Sequence, residues 1–473
     1  MIYCRPNRTA VTIERKVLER VRPPEDQLKK LEEVTRDLCA RVREIGKYFD
    51  LAVEPFVAGS VAKNTCLKDP DVDLFILFPM DVPLETVTGK GMSIARSIME
   101  GQERYAQHPY LRGSYEGFYV DLVPAYKLPD TTSLMTAVDR TPFHVNYINR
   151  VLLKEQRDEV RLLKQFMKGI GKYGAEEAIQ GFSGYLLELL VIHFGTFHAV
   201  LKGLSNYVPG TRLDTFHLMR DDELPDEEEV GTFEDPMVFI DPVDLNRNVA
   251  SPVSIDTLGF TIQAAREYLQ RPRMTFFFPN PPDVLSRQRL EGLIRDRETT
   301  LAGIKLPVFH ENADVVHGQL RKSVRAITRL CNRSGFPVLH SGYNVLGKEC
   351  VMLFEFEVSH LPVIYVHHGP RVGEGNEKEF LEKWSKSERT MVGPYVEDGN
   401  WRVDLIRSQT TVEELLYTEI PTLSLGKHIN EVVTKELHIM GQEELMNKLY
   451  RPTLTRFFLR RPPWTWGLEP DMS

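Results

Sequence analysis

Two aspartates one residue apart stand at the head of an otherwise apolar run, Asp71-Val-Asp73-Leu-Phe-Ile-Leu-Phe78, and this run constrains the fold more than any other feature of the chain. Its aliphatic and aromatic residues predict a strong strand. Residues i and i+2 of a strand share a face, so Asp71 and Asp73 present two carboxylates side by side. Like charges that close repel, and each tends to hold a proton. A bound divalent cation removes that penalty, and hard oxygen ligands with no His or Cys nearby suit Mg2+.

A further strand is expected over Gly117-Phe-Tyr-Val-Asp-Leu-Val-Pro124, where Asp121 can supply a third carboxylate from a neighbouring strand. Three carboxylates are what a two-metal phosphoryl-transfer site needs. One Mg2+ lowers the pKa of an attacking hydroxyl, and the other neutralises a leaving pyrophosphate. Upstream, Val53-Glu-Pro-Phe-Val-Ala-Gly59-Ser60 reads as a short strand ending in Gly-Ser. Gly59 lets the backbone approach a triphosphate closely. Ser60 leads into a short helix, expected over residues 61–67, whose N–H groups favour phosphate oxygens. Lys63, one turn on, adds a point charge. A lone D-x-D is more often a turn cap and a surface ion pair. Here Gly59-Ser60, the apolar strand and Asp121 accompany it, and the catalytic reading prevails.

The chain has 473 residues, more than one hydrophobic core usually serves, so two to four domains are expected. Residues 24–50 and 91–107 read as helices, and with the strands they make an α/β head of about 150 residues. From Asn149 to Leu201 the pattern is helical, with Ser183 as an N-cap. The most apolar stretch, Gly184 to Leu201, carries Glu188, His193 and His198 and reads as a buried helix, not a membrane span. The acidic run Asp221 to Glu229 reads as a solvated loop. The five cysteines form no C-x-x-C pair, which argues against a zinc site or a disulfide framework. The N-terminus lacks a signal-peptide core, and a cytoplasmic protein is expected. A net charge of −8 excludes a uniformly basic nucleic-acid binder but not a local basic face.

Gly59-Ser60, Asp71-Val-Asp73 and Asp121 together match the signature of the polymerase β nucleotidyltransferase superfamily. The fuller strings Gly59 to Lys68 and Asp71 to Pro79 resemble the archaeal-type CCA-adding enzymes (CCA tRNA nucleotidyltransferases). So do Arg161-Leu-Leu-Lys164, Tyr173-Gly-Ala, Gly181-Phe-Ser-Gly-Tyr185, Asp241-Pro-Val-Asp244 with Arg247-Asn-Val-Ala250, and His368-Gly-Pro370. The resemblance implies an α+β multidomain chain. A mixed-sheet nucleotidyltransferase head spans 1–150, a mainly helical central domain 151–270, and an α+β RNA-binding region 271–473. It implies addition of C, C and A to the 3′ end of tRNA from CTP and ATP, with two Mg2+ ions. It also implies roles for single residues. Lys164 and Tyr173 reach the triphosphate. Thr141 and His144 lie near the sugar and phosphates, with His108 a further nucleotide-side histidine. Arg247 reads the edge of cytosine or adenine, as a guanidinium with several fixed donors can.

For RNA, Arg321, Arg325 and Arg329 stand at i, i+4 and i+8 in a segment without acids, a stripe that suits phosphate tracking along the tRNA acceptor arm. The tail Arg456 to Trp466 mixes bases and aromatics; it either stacks on RNA or packs on the body. Two rival functions are a poly(A)- or oligoadenylate-type polymerase and a non-catalytic RNA-binding relative. The three aspartates argue against the second. No membrane association is expected, and a homodimer is left open.

Overall fold

The computed structural model describes residues 8–105, 109–218 and 224–467. The chain forms two compact units, one of Met1–Pro281 with Arg461–Ser473 and one of Pro282–Arg460.

The first unit begins with helices α1 (Arg8–Val21) and α2 (Glu25–Tyr48). There follow β1 (Glu54–Val57), α3 (Gly59–Ala62), β2 (Val72–Phe78), α4 (Leu84–Ile98), β3 (Gly101–Tyr105), β4 (Pro109–Tyr115) and β5 (Phe118–Tyr126). The five strands make one mixed sheet in the order β1-β2-β5-β4-β3, with β2 and β5 parallel and every other pair antiparallel. Strand alternation divides β2 in two. Val72, Leu74, Ile76 and Phe78 enter the core beneath α2 and α4, together with Leu31, Leu38, Val42, Val87 and Ile94. Phe75 and Leu77 face the other way, with Val123 and Ala125 of β5. Asp73 shares that second face by strand periodicity.

Two expected spans differ. The helix expected over 91–107 runs instead from Leu84 to Ile98, and residues 101–105 pair as an edge strand. The apolar helical period ends at Ile98, and Gly101 lies against the backbone of Arg112, where a Cβ would sit 2.5 Å from the carbonyl oxygen. The helix expected over 61–67 is the single turn α3, and residues 64–68 continue as a loop.

The central segment is mainly helical: α5 (Thr141–Val151), α6 (Gln156–Gly169), α7 (Gly184–Phe194), α8 (Phe197–Ser205) and α9 (Ile255–Gln270). Between α8 and α9 lies a small sheet of β6 (Arg212–Leu213), β7 (Val238–Asp241) and β8 (Asp244–Asn248). Ser183 caps α7 by accepting from the Leu186 N–H. The apolar stretch is broken: Gly195 has φ +95, Thr196 caps α8, and the two helices bend by 94°. Both are packed in one core with Phe166, Phe197, Tyr268, Phe276 and Phe277. No single described helix is long and apolar enough to cross a membrane. Trp464 of the tail is fully buried in this same core, stacked on Phe276 at 5.2 Å and donating its Nε1–H to Glu267. That tryptophan is a packing residue, not a surface platform for RNA.

The second unit contains α10 (Arg287–Arg297), β9 (Thr300–Pro307), α11 (Ala313–Arg333), β10 (Val338–Leu346), β11 (Glu349–Phe356), β12 (Ile364–Arg371) and α12 (Glu377–Ser385). It continues through β13 (Thr390–Glu397), β14 (Asn400–Ile406), α13 (Val412–Glu419), α14 (Lys427–Lys435), β15 (His438–Met440), α15 (Gln442–Leu445) and α16 (Arg451–Leu459). An antiparallel sheet β10-β11-β9-β15 carries α11, α13 and α14 on one face and α10 and α16 on the other. A second antiparallel sheet, β12-β14-β13, has α12 beside it.

Candidate active site

Register explains how the sheet gathers the carboxylates. The parallel pairing of β2 with β5 sets Asp73 directly opposite Asp121. The hairpin joining β4 to β5 turns on Glu116 and Gly117, both at positive φ. A two-residue turn of that kind fixes register, and here it sets Arg112 opposite Asp121. Asp73, Asp121 and Arg112 therefore stand in a row across three strands, with Asp71 just before β2. Arg112 donates from Nη2 to Asp71 Oδ2 at 2.5 Å and from Nη1 to Asp121 Oδ2 at 3.3 Å. Nothing local in the sequence marks Arg112, because its role depends on register.

Gly59 abuts this row. Its φ is +64, and an added Cβ would lie 1.8 Å from Asp73 Oδ2. Only glycine fits both the conformation and the space. Burial, with Asp121 and Asp71 alongside, pushes the Asp73 carboxyl up to about 6. Burial also raises Asp121, against the opposing pull of Arg112. Asp121 Oδ1 is buried without a hydrogen-bond partner.

These observations bear on a metal. Three hard carboxylates, one orphaned oxygen and carboxyls that burial makes reluctant to ionise are what a divalent cation would satisfy. As placed, with Arg112 between Asp71 and Asp121, no three His, Cys, Asp or Glu side chains among the described residues converge into a ready coordination shell.

The carboxylates line a cavity of about 520 Å³, together with Ser60, Lys63, Lys164, Tyr173 and Tyr185. Its opposite wall comes from the helical segment. Lys164 lies on α6, and Tyr173 is held by a bridge to Phe182. Gly184, at the start of α7, leaves room for both: a Cβ there would lie 3.1 Å from the Tyr173 hydroxyl and 3.6 Å from Lys164 Cε. Burial, with Glu188 and Asp73 nearby, raises the Tyr173 hydroxyl to about 12. Lys63 and Lys164 are both buried, and both donate to Glu188, at 2.5 and 3.2 Å. Arg161 pins the loop after Gly59-Ser60 by donating to the carbonyls of Asn64 and Cys66.

A second cluster adjoins the first through Tyr185. The fully buried Asp241 accepts from Arg247 at 2.7 Å and Tyr185 at 3.1 Å, and His144 Nε2 lies 2.9 Å from it. His144 stacks on Tyr185 with ring centroids 3.9 Å apart. Burial lowers the His144 imidazole although Asp241 opposes this. Thr141 opens the helix that carries His144. Arg247 is thus paired with Asp241, while Asp244 pairs with Arg140.

The structure therefore brings together Gly59, Ser60, Lys63, Asp71, Asp73, Asp121, Lys164 and Tyr173 around one cavity, with His144 and Arg247 in the adjoining cluster. His108 and the acidic residues 221–223 lie outside the described residues. Arg325 and Arg329 are exposed on α11, and Arg321 is half-buried, donating to the Tyr343 hydroxyl at 3.4 Å. Sequence reasoning missed Arg112 and the role of Glu188. A signal existed for Glu188, a lone carboxylate in the most apolar helix of the chain.

Three family models match the chain. They are a nucleotidyltransferase domain over residues 38–144, a tRNA nucleotidyltransferase second domain over 158–278, and a CCA-adding enzyme C-terminal domain over 297–442. Along its length the chain is similar to proteins named CCA-adding enzyme. The protein of Thermoplasma volcanium is 35% identical over 443 residues, covering 93% of this chain and 96% of that protein. That of Methanoregula boonei is 34% identical over 453 residues, covering 94% of each. That of Thermoplasma acidophilum is 35% identical over 443 residues, covering 93% of this chain and 97% of its own.

Proposed function

The chain belongs to the CCA-adding enzyme family, and from that premise we propose that it extends the 3′ end of tRNA by C, C and A, taking CMP and AMP from CTP and ATP without a nucleic-acid template. The observation that carries the reading is the pairing of Asp73 with Asp121 beside Gly59, in one cavity with Lys164 and Tyr173.

The terminal 3′-hydroxyl of tRNA attacks the α-phosphate in line. A new P–O bond forms as the bond to pyrophosphate breaks, and the hydroxyl proton is lost. Asp71, Asp73 and Asp121 would hold divalent metal, two Mg2+ ions in this reading, which supplies activation of the hydroxyl and neutralisation of the leaving group. The remaining work belongs to side chains. Ser60 and Lys63 meet the triphosphate from the head, and Lys164 and Tyr173 meet it from the helical wall. Binding between two walls orients the α-phosphate for attack. Thr141 and His144 approach the sugar and phosphates.

Arg247 reads the base. Cytosine and adenine both present an acceptor nitrogen beside an exocyclic amine, whereas uracil and guanine present a carbonyl and an N–H. One guanidinium can favour the first pair and reject the second. Asp241 holds that guanidinium in place. In this assignment residues 1–150 carry the transfer chemistry, 151–270 the second cavity wall and 271–473 the grip on RNA, apart from the stretches around Phe276 and Trp464 that pack in the first core. Within the last, Arg321, Arg325 and Arg329 follow the phosphates of the acceptor arm. We place the protein in the cytoplasm.

The test offers labelled CTP and ATP, separately and together, with a tRNA transcript lacking its CCA end. Incorporation of two C residues from CTP, followed by a single A, is the expected result. Untemplated A tracts on generic RNA would replace this reading with a poly(A)-type polymerase.

A further inference from the structure

Glu188 is fully buried on α7, a helix otherwise packed with leucine, isoleucine and valine. A lone carboxylate there is costly unless it is paired. Three donors meet it: Lys63 Nζ at 2.5 Å, Thr65 Oγ1 at 2.5 Å and Lys164 Nζ at 3.2 Å. Lys164 also donates to Thr65 Oγ1 at 2.9 Å and to the Thr65 carbonyl at 3.1 Å. The donors arrive from two parts of the unit, Lys63 and Thr65 from the loop after Gly59-Ser60 and Lys164 from α6. Glu188 joins them.

The charge count is informative. A structural ion pair needs one lysine for one carboxylate. Here two buried lysines share one carboxylate. Burial lowers Lys164 against the pull of Glu188, and with both lysines protonated the cluster carries one net positive charge. Both lysines line the cavity that holds Asp71, Asp73 and Asp121. Asp73 lines the same cavity and is already stabilised as an anion by Lys63. With the carboxylates neutralised by a divalent cation, the excess charge on the lysines calls for a further counter-ion. The anion of matching chemistry is the polyphosphate of the incoming nucleotide.

We propose that Glu188 is a positioning residue for the triphosphate: it holds the Lys63 and Lys164 ammonium groups in one fixed arrangement and leaves the single positive charge that the polyphosphate neutralises. The proposal rests on the nucleotidyltransferase reading above. Burial alone would raise the Glu188 carboxyl, yet the two lysines and Thr65 hold it below its usual range, so it serves as an anion.

The experiment uses the full chain and two variants, Glu188→Gln and Thr65→Val. The first removes the charge. The second keeps the shape of the side chain and removes one bridging hydroxyl, so it remains informative if Glu188→Gln does not fold. Two quantities are measured: binding of inorganic pyrophosphate by calorimetry, and KM and kcat for CTP and ATP. Without the shared carboxylate the two ammonium groups repel, so one leaves its place or sheds its proton, and loss of the charge-assisted hydrogen bond it gave the phosphate is worth about tenfold or more. Glu188→Gln is therefore expected to weaken pyrophosphate binding and to raise KM for both nucleotides by a common factor of about ten. Thr65→Val should move the same quantities in the same direction by a smaller factor. Inhibition by cytidine, which has no phosphate, should not change.

Unchanged pyrophosphate binding in folded variants would overturn the role of Glu188, as would a fall in kcat or thermal stability with KM unmoved. Failure of the wild-type chain to incorporate CTP into tRNA would instead overturn the functional reading, and pyrophosphate binding would still report on Glu188.

Discussion

Replacing Gly59 by alanine isolates the most demanding contact in the cavity. The new Cβ would lie 1.8 Å from Asp73 Oδ2 and 2.8 Å from Asp73 Cγ. Van der Waals contact needs more than 3.4 Å, so either the carboxylate or the Gly59 backbone must move by more than an ångström. The carboxylate is an end group and yields first. The backbone cost is separate: φ of +64 in a residue with a Cβ costs about 1–2 kcal/mol. In a unit of this size that lowers the melting temperature by about 2–3 °C. The catalytic cost is larger, because misplacing a reacting-centre group by about 1 Å loses on the order of a hundredfold in rate. Gly59→Ala should thus fold, melt a few degrees low, and incorporate CMP and AMP at least about a hundredfold more slowly. Single-turnover transfer to tRNA lacking its CCA end, at saturating CTP, measures the chemical step. Thermal unfolding followed by circular dichroism measures the rest. A variant that transfers CMP within a few-fold of wild type would refute the argument, since the carboxylate position could then not matter.

Further expectations concern charge. The Asp73 carboxyl stands at about 6 in the folded chain against an ordinary value of 3.8, so the folded state binds more protons across that window. Stability from this group is present below the window and is lost as pH rises through about 6. In chelator, Asp73→Asn should therefore raise the melting temperature at pH 7.5 by more than at pH 5, and with Mg2+ supplied the same variant should not transfer. An equal effect at both pH values would remove the raised carboxyl from the argument. Arg247→Ala leaves Asp241 bonded to Tyr185 and near His144. The variant should fold and retain transfer, but its preference for CTP over UTP and for ATP over GTP, read as kcat/KM ratios, should fall about ten- to a hundredfold. Unchanged ratios would move base reading elsewhere. Neutralising the exposed Arg325 and Arg329 to Gln should lower the salt slope of tRNA binding by about 1.5, with CTP affinity unmoved. An unchanged slope would leave α11 as a solvated face.

Much of this site was legible locally. The strand of Asp71 to Phe78, the Gly59-Ser60 turn, Asp121 and the apolar helix after Ser183 all announce themselves through short-range pattern, and the later motifs point to Lys164, Tyr173 and Arg247. What was not legible depends on partners far along the chain. Residues 101–105 are polar and lie at the sheet edge, so neither the strand period nor an apolar face separates them from the preceding helix. Arg112 acquires meaning only when a two-residue turn sets the β4–β5 register. Glu188 reads from sequence as a charge that disfavours a membrane span; its partners Lys63 and Thr65 are more than a hundred residues away. Trp464 looks suited to stacking on a base, and only the distant Phe276 and Glu267 show that it is interior.

That tryptophan has a consequence for biosynthesis. The first unit is built from Met1–Pro281 and from Arg461–Ser473, and the whole second unit is translated between them. A nascent chain that has just finished Pro281 holds every helix of the first core but not the indole that fills it. At bacterial and eukaryotic elongation rates the missing ring follows on the order of ten to forty seconds later. During that interval Phe276 and Phe260 face an unfilled gap, and the Glu267 carboxylate lacks its indole donor. The turn that carries Trp464 thus acts as a closing wedge. A chain cut short between Pro281 and Trp464 would leave this core incomplete.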